Sequence, residues 1–262
     1  MRYPSDKEIE EAKDYIRKRL EAERSMERNL RSAMLRAAEK IISISRKYNI
    51  PPKMFRFSLD QNLKREVEAV IADLRATIEY YTYTLAVSTH NDKEDEILAY
   101  ITRNSYGKTF GERNSIYANR YKYELEAAIA ASMLAGTSKS DTLQLISQNL
   151  EHPYGNPDFT EAVKEGDMNA TRIQTDGISY GVGRTNSSFT ALRNLTVYAV
   201  AEGWMRYQYL LGTEQGAKGF ITFRSSSFPC QTCDEYAMRP HPMSDPYPPL
   251  HNHCVCGMAF IY

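Results

Sequence analysis

The first glycine of this 262-residue chain is Gly107. A backbone that avoids its most permissive residue for so long has few places to turn, so its front half is best built from long helices joined at other breakers. Pro51-Pro52 is the first such breaker. Between residues 5 and 48, Ile9, Ile16, Leu30, Ala37 and Ile44 share a seven-residue row that Glu23 interrupts, and Leu20, Met34, Ile41 and Tyr48 run beside it. The spacing predicts one helix, capped by Ser5, with a narrow apolar stripe nearer to a coiled-coil seam than to an all-round buried helix. At ~1.5 Å per residue its rod would be roughly 65 Å long, and its stripe must find cover elsewhere in the chain or on another subunit. The basic positions Arg17, Lys18, Arg19, Arg24, Arg28 and Arg31 read as a solvated face.

A second helix follows a Ser58/Asp60 cap, with Leu63, Val67, Val70, Leu74, Ile78, Tyr81 and Leu85 stepping by three or four. Further helices are expected over 92–103, over 112–135 with Gly136 as the stop, and over 140–150. The cluster His152-Pro153-Tyr154-Gly155-Asn156-Pro157 marks the expected boundary between a helical N-terminal region, 1–152, and a C-terminal domain, 153–262. In the latter, 159–178 reads as helix and Gly181-Val182-Gly183 as a break. A helix capped by Ser187 or Ser188 then carries Phe189, Leu192, Val200, Trp204, Tyr207 and Leu211 to a stop at Gly212. Phe220–Phe223 and Met258–Tyr262 are β-prone and are expected to pair. The fold class expected is mainly α with a small C-terminal α+β unit.

Six of eleven prolines and all four cysteines lie after Phe228. The cysteines read Cys230-Gln-Thr-Cys233, then a loop, then His251-Asn252-His253-Cys254-Val255-Cys256. Two knuckles with two intervening residues each present four soft or borderline ligands to one ion, which suits Zn²⁺. Cys230, Cys233, His251 and Cys254 form the symmetric set, and Cys256 is an alternative to Cys254 or His251. Four protein ligands leave no open position, so such a zinc closes a hairpin region rather than activating water. Pro240, Pro242, Pro246, Pro248 and Pro249 argue against a strand or helix in the loop between the knuckles. Disulfides are the competing reading, and they do not suit a cytoplasmic protein.

The tail resembles the C-terminal motif of the phage Mu F-like (head morphogenesis) minor head proteins. That family has a C-x-x-C, a proline-bearing loop, a P-P-x-H-P-x-C-R-C-like stretch and a short final strand. The matching residues here are Cys230-Gln-Thr-Cys233 and Pro248-Pro249-Leu250-His251-Asn252-His253-Cys254-Val255-Cys256, and Arg184-Thr185-Asn186 is similar to the family's R-T-E-like turn. Asn252, Val255 and Asn186 stand where the family favours proline, arginine and glutamate. The resemblance spans residues 160 to 262. It implies a structural minor component of a tailed-phage or prophage head, made in the bacterial host cytoplasm and placed in the virion. It implies association with the portal vertex, partners in the portal protein and other head proteins, a role in head morphogenesis or DNA delivery, and no catalysis, and it leaves contact with packaged DNA open. No membrane and no small-molecule substrate are expected.

The alternative is a zinc-stabilised nucleic-acid-binding or nuclease protein of a mobile element. Equal numbers of acidic and basic residues, 33 each, argue against a polyanion-coating protein. The consecutive letters His251-Asn252-His253 are not the dispersed residues of an HNH nuclease, and Cys230/Cys233 lack the βαβ setting of a redox pair. His90 and His152 read as loop residues, and His241 as a weaker ligand than His251. Tyr80, Tyr81, Tyr83, Tyr100, Tyr106, Tyr117, Tyr121 and Tyr123, interleaved with Arg113, Arg120 and Lys122, read as core or interface before nucleic-acid contact.

Overall fold

A computed structural model describes residues 2–88, 91–153, 187–237 and 239–262. Helix α1 spans Asp6–Ser45, α2 Gln61–Val87, α3 Glu94–Thr102, α4 Phe110–Leu134, α5 Lys139–Gln148 and α6 Ser188–Glu214. Strand β1 (Gly219–Phe223), the short helix α7 (Gln231–Tyr236), β2 (Pro240–Pro242) and β3 (Gly257–Ile261) complete the chain. The fold is mainly helical with a small antiparallel sheet near the C-terminus, as the sequence predicts. His90, the helix expected over 159–178, Gly181–Gly183 and the Arg184-Thr185-Asn186 turn lie outside the described residues.

The helix ends follow local chemistry. Ser5 and Glu8 form a reciprocal cap at the start of α1, the Ser5 N–H donating to Glu8 Oε2 at 2.7 Å and the Glu8 N–H to Ser5 Oγ at 3.4 Å. Asp60 Oδ1 accepts from Asn62 and Leu63 N–H at 2.8 and 3.0 Å, and Ser138 Oγ accepts from Asp141 N–H at 3.1 Å. Gly136, at φ +67°, ends α4 as expected. Gly212 does not end α6, which runs on to Glu214. A Cβ at Gly212 would lie 2.4 Å from the Phe260 ring, so this glycine serves a close approach to the final strand.

The backbone gathers into two compact units, and neither is a continuous stretch. One takes residues 1–27, 81–110 and 196–262, and the other takes 28–80 and 111–195. Both draw on residues from either side of the 152/153 position that the sequence suggests as a boundary between 1–152 and 153–262.

In the first unit the sheet has the order β2-β1-β3, with Phe220 opposite Phe260 and Thr222 opposite Met258. The predicted pairing of the two β-prone segments is therefore present. Ile16 of α1, Met205 of α6, Phe220, Phe223, Met258 and Ile261 share one buried core. The loop between the knuckles departs from expectation, because Pro240-His241-Pro242 forms a strand paired with β1. It is an edge strand, where prolines are tolerated because one side of the backbone needs no ladder partner.

The second unit buries polar groups as well as apolar ones. Glu124 of α4 accepts hydrogen bonds from the Ser188 N–H at 2.9 Å and from the Ser188 hydroxyl, and Arg120 Nε lies 3.3 Å away. Burial pushes the Glu124 carboxyl up to about 7 against the downward pull of Ser188 and Arg120. A carboxyl raised in the folded state contributes stability that is full below its unfolded value, near 4.5, and is lost as pH rises through about 7. Glu124→Gln, which keeps an acceptor and drops the charge, removes this dependence. Urea melts of both proteins are expected to show wild type losing up to roughly 3 kcal/mol relative to the variant between pH 4.5 and 8. A stability difference that stays constant with pH would mean that Glu124 ionises as freely in the folded protein as in the unfolded one.

Candidate metal centre

The β1/β3 pairing brings the two cysteine knuckles together. Phe223, just before the first knuckle, lies opposite Gly257, just after the second. A Cβ on Gly257 would lie 2.4 Å from the Phe223 ring and 2.8 Å from Ile16, so only glycine allows this approach. Cys230 is the N-cap of α7, and Cys233 lies within that helix. The Cys230 N–H donates to Asp234 Oδ2 at 3.2 Å while the Asp234 N–H donates back to the Cys230 carbonyl at 2.8 Å, which closes the first knuckle. The second knuckle closes through the Cys254 N–H on the His251 carbonyl at 3.1 Å, with His253 at φ +61° making the turn.

All five predicted site residues meet here, in a cluster compatible with a metal site. The ligand atoms of Cys230, Cys233 and His251 lie within 4.8 Å of one another, and so do those of Cys233, Cys254 and Cys256. His251 Nε2 is 3.2 Å from Cys230 Sγ and 3.0 Å from Cys233 Sγ, and Cys233 Sγ is 3.9 Å from Cys254 Sγ. Tetrahedral zinc with ordinary bond lengths places its ligand atoms about 3.5–3.8 Å apart, so the two His251–cysteine contacts would lengthen by up to about half an ångström and the two triads, which share Cys233, would close further to bring four ligands onto one ion. His251 Nδ1 donates to the Asn252 carbonyl at 2.7 Å, which leaves the Nε2 lone pair for an ion. All four cysteines are free thiols.

The thiols hold their protons unequally. A hydrogen bond from Cys256 is the main reason that the Cys254 thiol is drawn down to about 5, and the same bond pushes Cys256 up. Burial pushes Cys233 up to about 12. Backbone hydrogen bonding at the first knuckle holds Cys230 below its ordinary value. Burial lowers His251, but the Asn252 carbonyl and the neighbouring Cys254 and Cys230 sulfurs outweigh it and raise the imidazole. A bound cation would displace the remaining thiol protons, so the cluster gathers negative charge as it fills.

Two residues of the site escape the sequence reading. Arg19, placed above on a solvated face, is fully buried. Its Nη2 donates to the Cys254 carbonyl at 2.8 Å and its Nη1 to the Cys256 carbonyl at 3.3 Å. Its Nε lies 2.9 Å from Glu23, one helical turn on. Burial pushes the Glu23 carboxyl up to about 7 while Arg19 pulls it down. The signal was present in the sequence as Glu23 interrupting the apolar row. A charge in a buried stripe asks for a buried partner, and position i−4 supplies it.

The other described histidines lie outside the two close groups. His253 is exposed. His241 is buried in β2, stacked on Tyr236 at 3.8 Å, with its ring nitrogens 2.9 Å from the Tyr236 carbonyl and 3.2 Å from the Asp245 carboxylate. His152 is an exposed turn residue. Comparison with family models, curated proteins and solved structures finds no match to this chain. Among the described residues, no helix is long and apolar enough to cross a membrane.

Proposed function

We propose that this chain is a structural minor head protein of a tailed phage or prophage, bound at the portal vertex and closed at its C-terminal unit by one structural zinc ion. The observation behind this reading is that the residues carrying the resemblance, Cys230, Cys233, His251, Cys254 and Cys256, cluster as two close triads that share Cys233. Cys230, Cys233, His251 and Cys254 are the ligands in this reading, and Cys256 donates its thiol proton toward Cys254. Three thiolates and one imidazole in a tetrahedral setting favour zinc over the hard cations. With four protein ligands no coordination position is left for water or substrate, so the ion has a folding role and the protein is not an enzyme. Its partners in this reading are the portal protein and other head proteins, and its place is the virion.

The test is sedimentation of particles from an induced lysate of the source host, with metal analysis of the purified chain. The expected result is recovery with heads at a few copies per particle and one zinc per chain. Recovery of the chain wholly outside the particles would overturn the head assignment. A natively folded chain without zinc would overturn the metal assignment independently.

A further inference from the structure

The ligand atoms of the metal centre group by three. Cys230, Cys233 and His251 form one triad and Cys233, Cys254 and Cys256 the other, each with its ligand atoms within 4.8 Å of one another, and only Cys233 belongs to both. A tetrahedral ion fills such an arrangement by drawing the triads together and leaving Cys256 aside. A trigonal ion needs no such closure, because three ligands complete its coordination.

The two triads differ in chemistry and in cover. The second is all sulfur, and Cys233, Cys254 and Cys256 are 4, 3 and 3 % exposed. They pack as a small core of their own, with Leu250 and Cys230 against it. Solvent therefore supplies no fourth ligand there, and zinc, which asks for four, would be left one short in this triad alone. Three sulfurs set about 2.3 Å from a central ion and spread evenly in a plane lie about 4 Å from one another. Cys233 Sγ and Cys254 Sγ are 3.9 Å apart.

The first triad is two sulfurs and an imidazole. His251 Nε2 faces the Cys230 and Cys233 sulfurs at 3.2 and 3.0 Å, with Nδ1 already engaged on the Asn252 carbonyl. Both edges would lengthen on loading, as they would for zinc. Monovalent copper suits both settings: it is soft, it favours thiolate and accepts imidazole, and three ligands satisfy it.

We propose that the cluster has a second loaded state, in which it holds two Cu(I) ions, one in each triad, bridged by the Cys233 thiolate. This inference rests on the reading of these five residues as a metal centre and is independent of the head assignment. Cys256, which is no ligand to zinc in that reading, becomes a ligand to copper. No electron is transferred: copper enters as Cu(I), zinc leaves as Zn²⁺, and the remaining thiol protons pass to the buffer as the thiolates coordinate.

The test titrates the full chain as purified, reduced and anaerobic, with Cu(I) supplied as its acetonitrile complex, and counts metal per chain by native mass spectrometry. One zinc at the start, and two copper ions with no zinc at saturation, are expected. Bridged Cu(I) thiolates shielded from water luminesce in the orange-red, so emission should rise as the second ion enters. In Cys256→Ser the zinc content should be unchanged, whereas copper capacity should fall two-fold and the emission should vanish. Saturation of the wild type at one copper ion would overturn the proposal, and so would a folded Cys256→Ser that still holds two. Two copper ions in a chain that never carries zinc would overturn the zinc assignment and support this one. A chain that binds neither metal would sink both. The wild-type count decides the matter even should the variant fail to fold.

Discussion

Cys233→Ser is expected to strip the chain of bound metal and to release the segment that the two knuckles hold. Cys233 is the one residue common to both groups of close ligand atoms and is 4 % exposed, so a weaker hydroxyl ligand there breaks the link between the two knuckles. Structural zinc contributes on the order of 10 kcal/mol to the folding of small metal-closed domains, which makes this the largest single-residue effect expected in the protein. Metal content measured by mass spectrometry should fall from one ion per chain to near zero. Amide exchange in β1, α7 and β3 should accelerate in parallel. Cys256→Ser should keep its metal, because its serine hydroxyl can still donate to Cys254. Equal loss in the two variants would place Cys256 among the ligands and refute the assignment made here.

Arg19→Met is expected to destabilise the first unit by roughly 3–5 kcal/mol, the usual cost of breaking a buried ion pair from one side. The loss comes from what the arginine leaves behind. The carbonyls of Cys254 and Cys256 would lose their donors, and Glu23 would be left buried without its cation. Arg19→Lys should recover little, since one ammonium cannot reach two carbonyls and a carboxylate with the fork geometry of a guanidinium. Denaturant melts give the stability, and exchange rates at 254–256 give the local effect. A solvated Arg19 would leave both measurements within about 0.5 kcal/mol of wild type.

The helices were legible because their signals are local. A stripe at 3.6-residue spacing, a Ser5 or Asp60 cap and a Gly136 stop each act over a single turn. The metal cluster was legible for a related reason: the spacing within each knuckle is short, so ligand geometry is written into adjacent residues. What escaped depends on neighbours remote in the sequence. Gly212 reads as a helix stop until Phe260 is seen against it, and Arg19 reads as solvated until Cys254 is seen above it. Pro240-His241-Pro242 reads as irregular until β1 is placed beside it, since an edge position is a property of the sheet and not of the strand.

Arg19 also sets a timetable for synthesis. The carbonyl that completes its burial belongs to a residue 235 positions later. At ordinary elongation rates that interval is roughly 10 to 50 s, during which the first half of the finished helix, up to residue 27, carries an arginine without its final partners. The first unit cannot close until the ribosome has made its last segment, because that unit includes residues 196–262. The second unit, whose last residue is 195, can complete its own contacts earlier. The nascent chain therefore matures from its middle outward, and the part of α1 up to residue 27 is the most exposed to capture by chaperones or by a partner while translation continues.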